Sequence, residues 1–292
     1  MKEIIYASFE RTRRQRAIWD KAMVYILSLC AIGILFILFN ILIHLFIQGI
    51  SSVNLDFFTH LPKAVGEKGG GMANAIVGTF TLLVLAVCVG VPIGLGTGVY
   101  LSEYADLKFA QIIRFMSDVM NGIPSIVYGI FAYTVCVLPM KSFSALSGGF
   151  ALGIMMIPMI ARTSEQFVRM VPATLREAGL ALGVPKWRVT LDIVIPAALA
   201  GITTGVMVAL ARVAGETAPL LFTAFGNSYW QHSLTQPIAA LPLQVFTYAI
   251  SPFDDWHRQA WAGAIVLILM VFLINGWAQF YVMSRSRWSS GK

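Results

Sequence analysis

The sequence predicts an all-α integral membrane protein, a polytopic bundle of six transmembrane helices. Of its 292 residues, 58% are hydrophobic and only 12% are charged, and the mean hydropathy is +0.75. So few charges cannot cover the surface of a water-soluble globule of this size. Six stretches approach the roughly 20 apolar residues that span a bilayer. They are residues 22–48, 74–101, 112–140, 146–161, 197–224 and 261–283.

The distribution of basic residues orients these six predicted spans. The chain has 21 lysines and arginines and a formal net charge of +7. Most of them fall in the N-terminal segment, in alternate loops and in the C-terminal tail, while Lys63, Lys68, Lys141 and Arg258 fall on the other side. Because basic residues concentrate on the cytoplasmic side, both termini are predicted to be cytoplasmic. The positive charge therefore reflects topology and requires no nucleic-acid partner.

The same pattern divides the chain into a cytoplasmic segment 1–21, a transmembrane domain 22–283 with its core at 74–283, and a cytoplasmic tail 284–292. The first segment is either an amphipathic stretch on the inner leaflet or a plain positive-inside anchor. The three cysteines, Cys30, Cys88 and Cys136, lie in apolar stretches without metal-ligand spacing. They are predicted to be packing residues, and no metal site is expected.

A polar cytoplasmic loop, residues 165–196, lies between the fourth and fifth predicted spans and contains Arg176-Glu-Ala-Gly-Leu-Ala-Leu-Gly183. Thr174 and Glu177 form a capping-box pattern that predicts the start of a short helix, and Gly183 predicts its end. Pro185 suits the first position of a second helix.

The composition of this loop predicts a knob that docks into the groove of a partner. Ala178, Gly179 and Ala181 leave one helix surface nearly bare. Lys186, Trp187 and Arg188 add a charged and aromatic tip. The alternative is an ordinary basic loop between two membrane helices.

Glycines at four-residue steps predict close helix packing within the bundle. Three occur in the second span, and pairs occur in the fourth and fifth spans. Such spacing lets another helix backbone approach closely. The glycines are Gly90, Gly94 and Gly98, then Gly149 and Gly153, then Gly201 and Gly205.

Two further polar features have two interpretations each. In the third span, Asp118, Asn121 and Pro124 either hydrogen-bond within the bundle or line a pathway. The outer segment 225–260 either anchors at the membrane interface or contacts a solute-carrying partner.

The fifth predicted span contains Arg212 and Glu216, four residues apart and therefore on one face of a continuous helix. An arginine at the centre of a bilayer costs about 2.5–3.5 kcal/mol, so Arg212 is expected to face protein or water. It either pairs with Glu216 as a structural tie or presents a forked donor to a passing oxyanion. Arg162, Glu165 and Arg169 share a second helix face, where Arg162 is either an anion contact near the inner exit or a topology and packing residue.

Three runs of this sequence resemble a known family. Glu177, Ala178, Gly179, Gly183, Ile193, Ile195 and Pro196 match the EAA cytoplasmic loop signature of type I ABC importer permeases, with glycine at the third position. The runs Arg212-Val-Ala-Gly-Glu-Thr-Ala-Pro-Leu220 and Gly122-Ile-Pro-Ser-Ile-Val-Tyr-Gly129 narrow the resemblance to phosphate ABC importer permeases of the PstA type.

That resemblance implies a type I ABC importer permease (MetI-like) fold in a bacterial inner membrane. It implies three kinds of protein partner: a PstC-like second permease subunit forming a heterodimer, a PstB-like ATPase dimer and a PstS-like extracytoplasmic phosphate-binding protein. It also implies transport roles for Arg162, Arg212 and Glu216, and an ATPase-coupling role for the loop with Glu177, Ala178, Gly179, Gly183 and Trp187.

The sequence contains no Walker A pattern, so this chain is expected to be a transporter subunit rather than an enzyme. It is expected to bind no cofactor itself, with ATP and Mg on the partner ATPase. The alternatives are a permease for sulfate, molybdate or phosphonate, and, in another class, an ion-coupled secondary transporter. The latter predicts an inverted repeat and intramembrane ion-binding carboxylates, whereas Glu216 is the only acid deep in a predicted span.

Overall fold

The structure, a computed structural model, describes residues 2–64, 67 and 69–289, so Lys68 and Lys292 of the charge pattern lie outside the described residues. Within these residues there is no β-strand, only an isolated bridge between Phe225 and Ile238. The helices are α1 (Lys2–Gly49), α2 (Leu55–Thr59), α3 (Ala73–Glu103), α4 (Lys108–Gly122), α5 (Ser125–Ala132), α6 (Leu138–Met140), α7 (Ala145–Arg169), α8 (Ala173–Ala181), α9 (Lys186–Val189), α10 (Ile195–Ala214), α11 (Ala218–Leu221), α12 (Leu241–Ala249) and α13 (Asp254–Ser289).

The chain forms two compact units, residues 1–48 and residues 49–292. The first unit is formed by helix α1, which continues one residue further, to Gly49. This helix runs without a break through the boundary that the sequence predicted at residue 21. The second unit holds the remaining helices.

Six membrane spans agree with the sequence prediction when a bent pair of helices counts as one. Among the residues that the structure describes, five helical stretches are long and apolar enough to cross a bilayer, and the pair α4 and α5–α6 passes the same test together. The stretches are Trp19–Ser52, Ala73–Glu103, Ala145–Arg169, Lys186–Ala214 and Asp254–Phe280.

The third span was predicted as one helix, and that prediction is wrong. Its two halves bend by 105° at the break between Gly122 and Ser125. Pro124 has no N–H to donate to the Met120 carbonyl, and it holds Ile123 in the extended region with ψ 133°. The Ile123 N–H at 3.1 Å and the Tyr128 hydroxyl at 2.6 Å both donate to the Met120 carbonyl, so the break leaves that acceptor satisfied.

Two other prolines sit just after π-helical turns. Tyr133–Val137 precedes Pro139, and Thr190–Val194 precedes Pro196. A proline ring clashes with the carbonyl four residues earlier, and that carbonyl lies inside the π turn in both cases. The wider turn gives the ring room, so the chain continues as a helix through each proline. As a result, α9 and α10 form one span that begins at Lys186, eleven residues before the predicted start at 197.

Helix α7 is the centre of the bundle, and the predicted close packing of glycines is confirmed. Of the five straight spans, α7 is the most buried, with 67% of its most apolar stretch inside the protein. A Cβ on Gly94 of α3 would lie 2.8 Å from Ile160 Cβ, and one on Gly98 would lie 2.6 Å from the Ala161 carbonyl oxygen. From α10, Gly205 abuts Thr163 of α7. The backbones of α3 and α10 therefore approach α7 more closely than side chains would permit.

We expect Gly98→Val to destabilise the protein, whereas Gly96→Val has a small effect. Both changes place the same side chain in α3, but a Cβ on Gly98 meets backbone of α7 and one on Gly96 meets nothing within 4 Å. Overpacking of this kind costs about 1–3 kcal/mol. The measurement is the thermal midpoint of the purified chain in detergent. Equal midpoints for the two variants would show that this contact does not hold α3 against α7.

Candidate functional site

The α8–α9 segment exposes the aromatic side chain predicted at its tip, together with a leucine that was not predicted. Leu182 is 84% exposed and Trp187 is 61% exposed. The predicted stop at Gly183 is confirmed, because its φ of +78° lies in the left-handed region that favours glycine. The amide N–H of Val184 donates back to the Gly179 carbonyl at 3.3 Å, which closes the end of α8.

Three details of this segment differ from the sequence prediction. No capping box forms, because Pro172 is the N-cap of α8 without a side-chain cap bond and Thr174 lies inside the helix. Pro185 is the N-cap of α9, one residue before its first position. Gly179 does not belong to a bare outer surface, because a Cβ there would lie 3.0 Å from Val189 and Ile193 side chains of the same segment.

The exposed face of the α8–α9 segment therefore consists of the other predicted residues. Glu177 and Ala178 are exposed, and so are Gly183 and Trp187. The guanidinium of Arg188 lies 5.3 Å from the Trp187 ring centroid, which orients the indole. Gly179 contributes by letting α8 pack closely against α9.

Two basic residues of this segment turn back toward α3 and do not extend to its tip. Arg176 Nη2 lies 3.3 Å from Glu103 Oε1, and Lys186 Nζ lies 3.7 Å from Glu103 Oε2. Lys186 also donates to the Glu103 main-chain oxygen at 3.1 Å and lies 4.5 Å from the centre of the Tyr104 ring. Glu103 was not a candidate from the sequence, because nothing local to it indicates a partner more than 70 residues away.

A second charged cluster gathers three arginines around one buried carboxylate. Glu165 of α7 is 2% exposed. Arg114 of α4 contacts its Oε1 through Nη2 at 2.7 Å and Nε at 3.0 Å, and Arg169 contacts the same oxygen at 2.9 Å. Arg162 donates to Oε2 at 3.1 Å. We refer to these residues, together with Asp118, as the Glu165 cluster.

Arg162 is held within the Glu165 cluster from both sides. Its Nε lies 2.9 Å from Asp118 Oδ1, in addition to its contact with Glu165. Asp118 is thus an ion-pair partner of α7, which favours the first of its two predicted roles. Sequence periodicity placed Glu165 and Arg169 beside Arg162, but it missed Arg114, which reaches the cluster from another helix.

Arg212 and Glu216 do not share one helix face, and that prediction is wrong. Helix α10 ends at Ala214, and Glu216 lies in the break before α11. Pro219 explains the break, because it has no N–H to donate to the Gly215 carbonyl. The Arg212 guanidinium is exposed and contacts Met159 Sδ at 3.6 Å, and no carboxylate among the described residues pairs with it.

The structure brings together the two sequence runs that flank these breaks. A Cβ on Gly129 of α5 would lie 2.7 Å from Pro219 Cα, so the backbone of α5, the second half of the bent third span, lies directly against α11. Thr217 in the same break donates to the Pro242 carbonyl at 3.5 Å. The chain that follows α10 therefore packs against both α5 and α12.

The predicted outer segment 225–260 is ordered around α12. Its aromatic rings stack, with Phe225 on Phe143 at 4.6 Å and Tyr248 on Trp256 at 4.3 Å. A cavity of about 510 Å³ lies here, lined by residues that include Lys63, Tyr229 and Trp256. The segment thus presents an aromatic recess.

Neither the cysteines nor any acidic cluster forms a metal centre in the part of the chain that the structure describes. No group of three or more His, Cys, Asp or Glu side chains there is placed to hold a metal ion. All three cysteines are free, and Cys30 and Cys88 are exposed on helix surfaces, so the prediction that they pack inside is wrong.

Comparison with known proteins identifies the class to which this helix bundle and its projecting segment belong. Residues 90–285 match the family of binding-protein-dependent transport system inner membrane components. The chain belongs to this family. It is therefore a multi-pass inner membrane subunit of a transporter and not an enzyme in its own right.

Two relatives place the chain in the PstA group of this family. The chain is 41% identical over 275 residues to the phosphate transport system permease protein PstA of Yersinia pestis, covering 92% of this chain and 93% of the relative. It is 44% identical over 242 residues to the protein of the same name from Haemophilus influenzae, covering 82% and 86%. These relatives confirm the resemblance predicted from the sequence.

A solved structure confirms the predicted fold. The chain is similar to the MetNI methionine ABC transporter in an inward-facing conformation, with a TM-score of 0.57 over 72% of this chain and 92% of that chain. The sequence identity is 18%, so this likeness concerns the fold alone. The fold is that of a type I ABC importer permease.

We expect Glu165→Gln to destabilise the bundle by about 3–5 kcal/mol, because it leaves three arginines without their shared buried counter-charge. Asp118→Asn is the control, since its side chain is 50% exposed and an exposed pair contributes about 0–1 kcal/mol. The measurement is the free energy of unfolding in a detergent titration. If Glu165→Gln lowers the free energy of unfolding less than Asp118→Asn does, Glu165 is not the central residue of the cluster.

Proposed function

We propose that this chain is one permease subunit of an ATP-driven importer of inorganic phosphate. It forms half of a translocation pathway together with a second, PstC-like permease subunit. Its relatives carry the name phosphate transport system permease protein, which supports this choice of solute. Both termini lie in the cytoplasm of a bacterial cell, with the α8–α9 segment on the same side.

The main support for phosphate as the solute is that the Arg212 guanidinium is exposed and has no carboxylate partner among the described residues. A guanidinium in a membrane span is costly unless protein, water or an anion receives it. Among the described residues its contact is a methionine sulfur and no carboxylate neutralises it. A passing phosphate supplies oxygens that match the planar fork of an arginine. Glu216, held in the adjacent break, lies beside this route.

Energy enters through the α8–α9 segment. The sequence has no Walker A pattern, so ATP and Mg bind on a partner dimer of PstB-like ATPases. The exposed Leu182 and Trp187 form an apolar tip that fits a groove of that partner. A PstS-like binding protein delivers phosphate to the outer face, where segment 225–260 with its aromatic recess receives it. ATP-driven closure below then opens the pathway above as a rigid-body change.

The direct test is reconstitution of the chain with its three partner proteins in lipid vesicles. ATP hydrolysis and ³³P-phosphate uptake are measured with binding protein loaded with phosphate, and the same assay is repeated with sulfate and molybdate. Stimulation by phosphate alone supports the proposal. Stimulation by another oxyanion, or uptake driven by an ion gradient without ATPases, overturns it.

We expect Ala178→Trp to abolish uptake while membrane insertion persists. Ala178 is exposed on α8, so an indole there adds bulk at the partner contact without disturbing the packing of this chain. Met170→Trp is the control, because Met170 is 74% exposed but lies before α8. Phosphate uptake and substrate-stimulated ATP hydrolysis are measured, with complex yield recorded for each variant. Uptake by Ala178→Trp at the level of the control would remove α8 from the coupling contact.

We expect Arg212→Gln to lower phosphate uptake roughly tenfold or more, since hydrogen bonds to a charged group contribute about 1.5–3 kcal/mol each. Arg212→Lys is expected to be partly defective, because a point-charge ammonium cannot reproduce the fork. Uptake is normalised to complex yield, with Arg258→Gln on the outer side as the control. Full phosphate uptake by a double variant that carries both Arg212→Gln and Glu216→Leu would exclude an anion-binding role for Arg212.

A further inference from the structure

Glu103 joins the α8–α9 segment to helix α3. It is the last residue of α3, the helix whose glycines lie directly against α7. Its side chain is only 9% exposed, so its carboxylate is placed where an unpaired charge is costly. The partners that compensate this charge come from the α8–α9 segment.

Those partners lie on both sides of the turn at Gly183. Arg176 belongs to α8, and Lys186 is the first residue of α9. Each cation approaches a different carboxylate oxygen, Oε1 at 3.3 Å for Arg176 and Oε2 at 3.7 Å for Lys186. Lys186 also donates to the main-chain oxygen of Glu103, at the negative end of the α3 dipole. One residue of α3 is thus held by both helices of the segment.

The contact between Glu103 and Arg176 is incomplete in this conformation. Glu103 Oε1 and Arg176 Nε are both buried without a hydrogen-bond partner in the described chain. The Arg176 Nη2 that faces Glu103 donates instead to the Val168 carbonyl at 2.7 Å. Buried polar atoms are usually satisfied, so an arrangement in which Arg176 turns its fork fully onto Glu103 is favoured electrostatically. Val168 and Glu103 thus compete as acceptors for the Arg176 guanidinium.

We propose that Glu103 is a positioning residue that transmits the displacement of the α8–α9 segment to α3. When an ATPase moves the segment, Arg176 and Lys186 move Glu103, and α3 follows because its carboxylate cannot be left buried and unpaired. Because α3 packs on α7 by backbone contact, the shift reaches the helix that carries Glu165. This inference rests on the proposed coupling role of α8–α9 and adds a residue outside the loop signature.

If Glu103 loses its contacts with the α8–α9 segment, we expect ATP hydrolysis to continue with less phosphate transport. In the reconstituted complex, Glu103→Gln is expected to lower the phosphate transported per ATP hydrolysed at least about fivefold, at unchanged complex yield. Glu103→Asp, which keeps the charge, is expected to restore part of that ratio. Asp106→Asn, an exposed acid three residues further on, is the matched control. A ratio for Glu103→Gln equal to that of Asp106→Asn would overturn the proposal.

A mutant cycle separates transmission through Arg176 from a purely structural effect. If Glu103 acts through Arg176, the loss caused by Glu103→Gln shrinks in a chain that already carries Arg176→Gln, because residues in contact are not additive. Full additivity of the two losses would overturn the link between them.

A second measurement keeps this proposal distinguishable from the proposed function. The three cysteines are first replaced by serine, and spin labels are then attached at positions 192 and 93, which are both exposed. The labels report the distance between the turn that directly follows α9 and helix α3. On addition of ATP to the assembled complex, the distance distribution is expected to stay narrow in the parent and to broaden in Glu103→Gln. Equal distributions overturn the link. The readout needs no phosphate, so absence of phosphate uptake in the parent would refute the proposed function alone.

Discussion

The close approach of α3 and α10 to α7 is the constraint on which the rest of the second unit depends. Small residues such as Gly98 and Gly205 bring backbones together where any side chain would collide. In a bilayer, helix association relies on such packing because lipid is as apolar as leucine. Helices packed by backbone contact move as a rigid pair. A charge placed at the end of α3 or on α7 is therefore fixed relative to the others.

Prolines place the irregular backbone where polar side chains are needed. Pro124 bends the third span and Pro219 ends the α10 helix, and the helices that follow the two breaks, α5 and α11, meet at Gly129 and Pro219. Broken helices are tolerated at membrane depth when neighbouring groups satisfy the freed carbonyls, as the Tyr128 hydroxyl does here. The break after α10 separates Glu216 from the helix that carries Arg212, so the two side chains are not held on one helix face.

Periodicity and composition were sufficient to predict the six spans, the glycine contacts and the stop at Gly183, because each depends on neighbours in sequence. The contacts that assemble the charged clusters were not predictable in this way. Arg114 and Glu103 reach partners on distant helices, and their own surroundings in the sequence resemble ordinary helix ends. The break after α10 was predictable in principle, since Pro219 follows Arg212 by seven residues. Helical spacing does not hold across this proline, so Arg212 and Glu216 do not share the one helix face that the spacing predicted.

The two arginines that the sequence singled out have opposite environments, and this difference favours Arg212 over Arg162 for the anion contact that we propose. Arg162 is bound by two carboxylates, Asp118 and Glu165, so an anion reaching it must first displace a counter-charge. Arg212 has no such competitor among the described residues, and its guanidinium is exposed. An anion therefore gains more from Arg212, because no existing ion pair has to be broken. Arg162 contributes instead to the cluster that ties α4 to α7, at the end of the bundle nearest the α8–α9 segment.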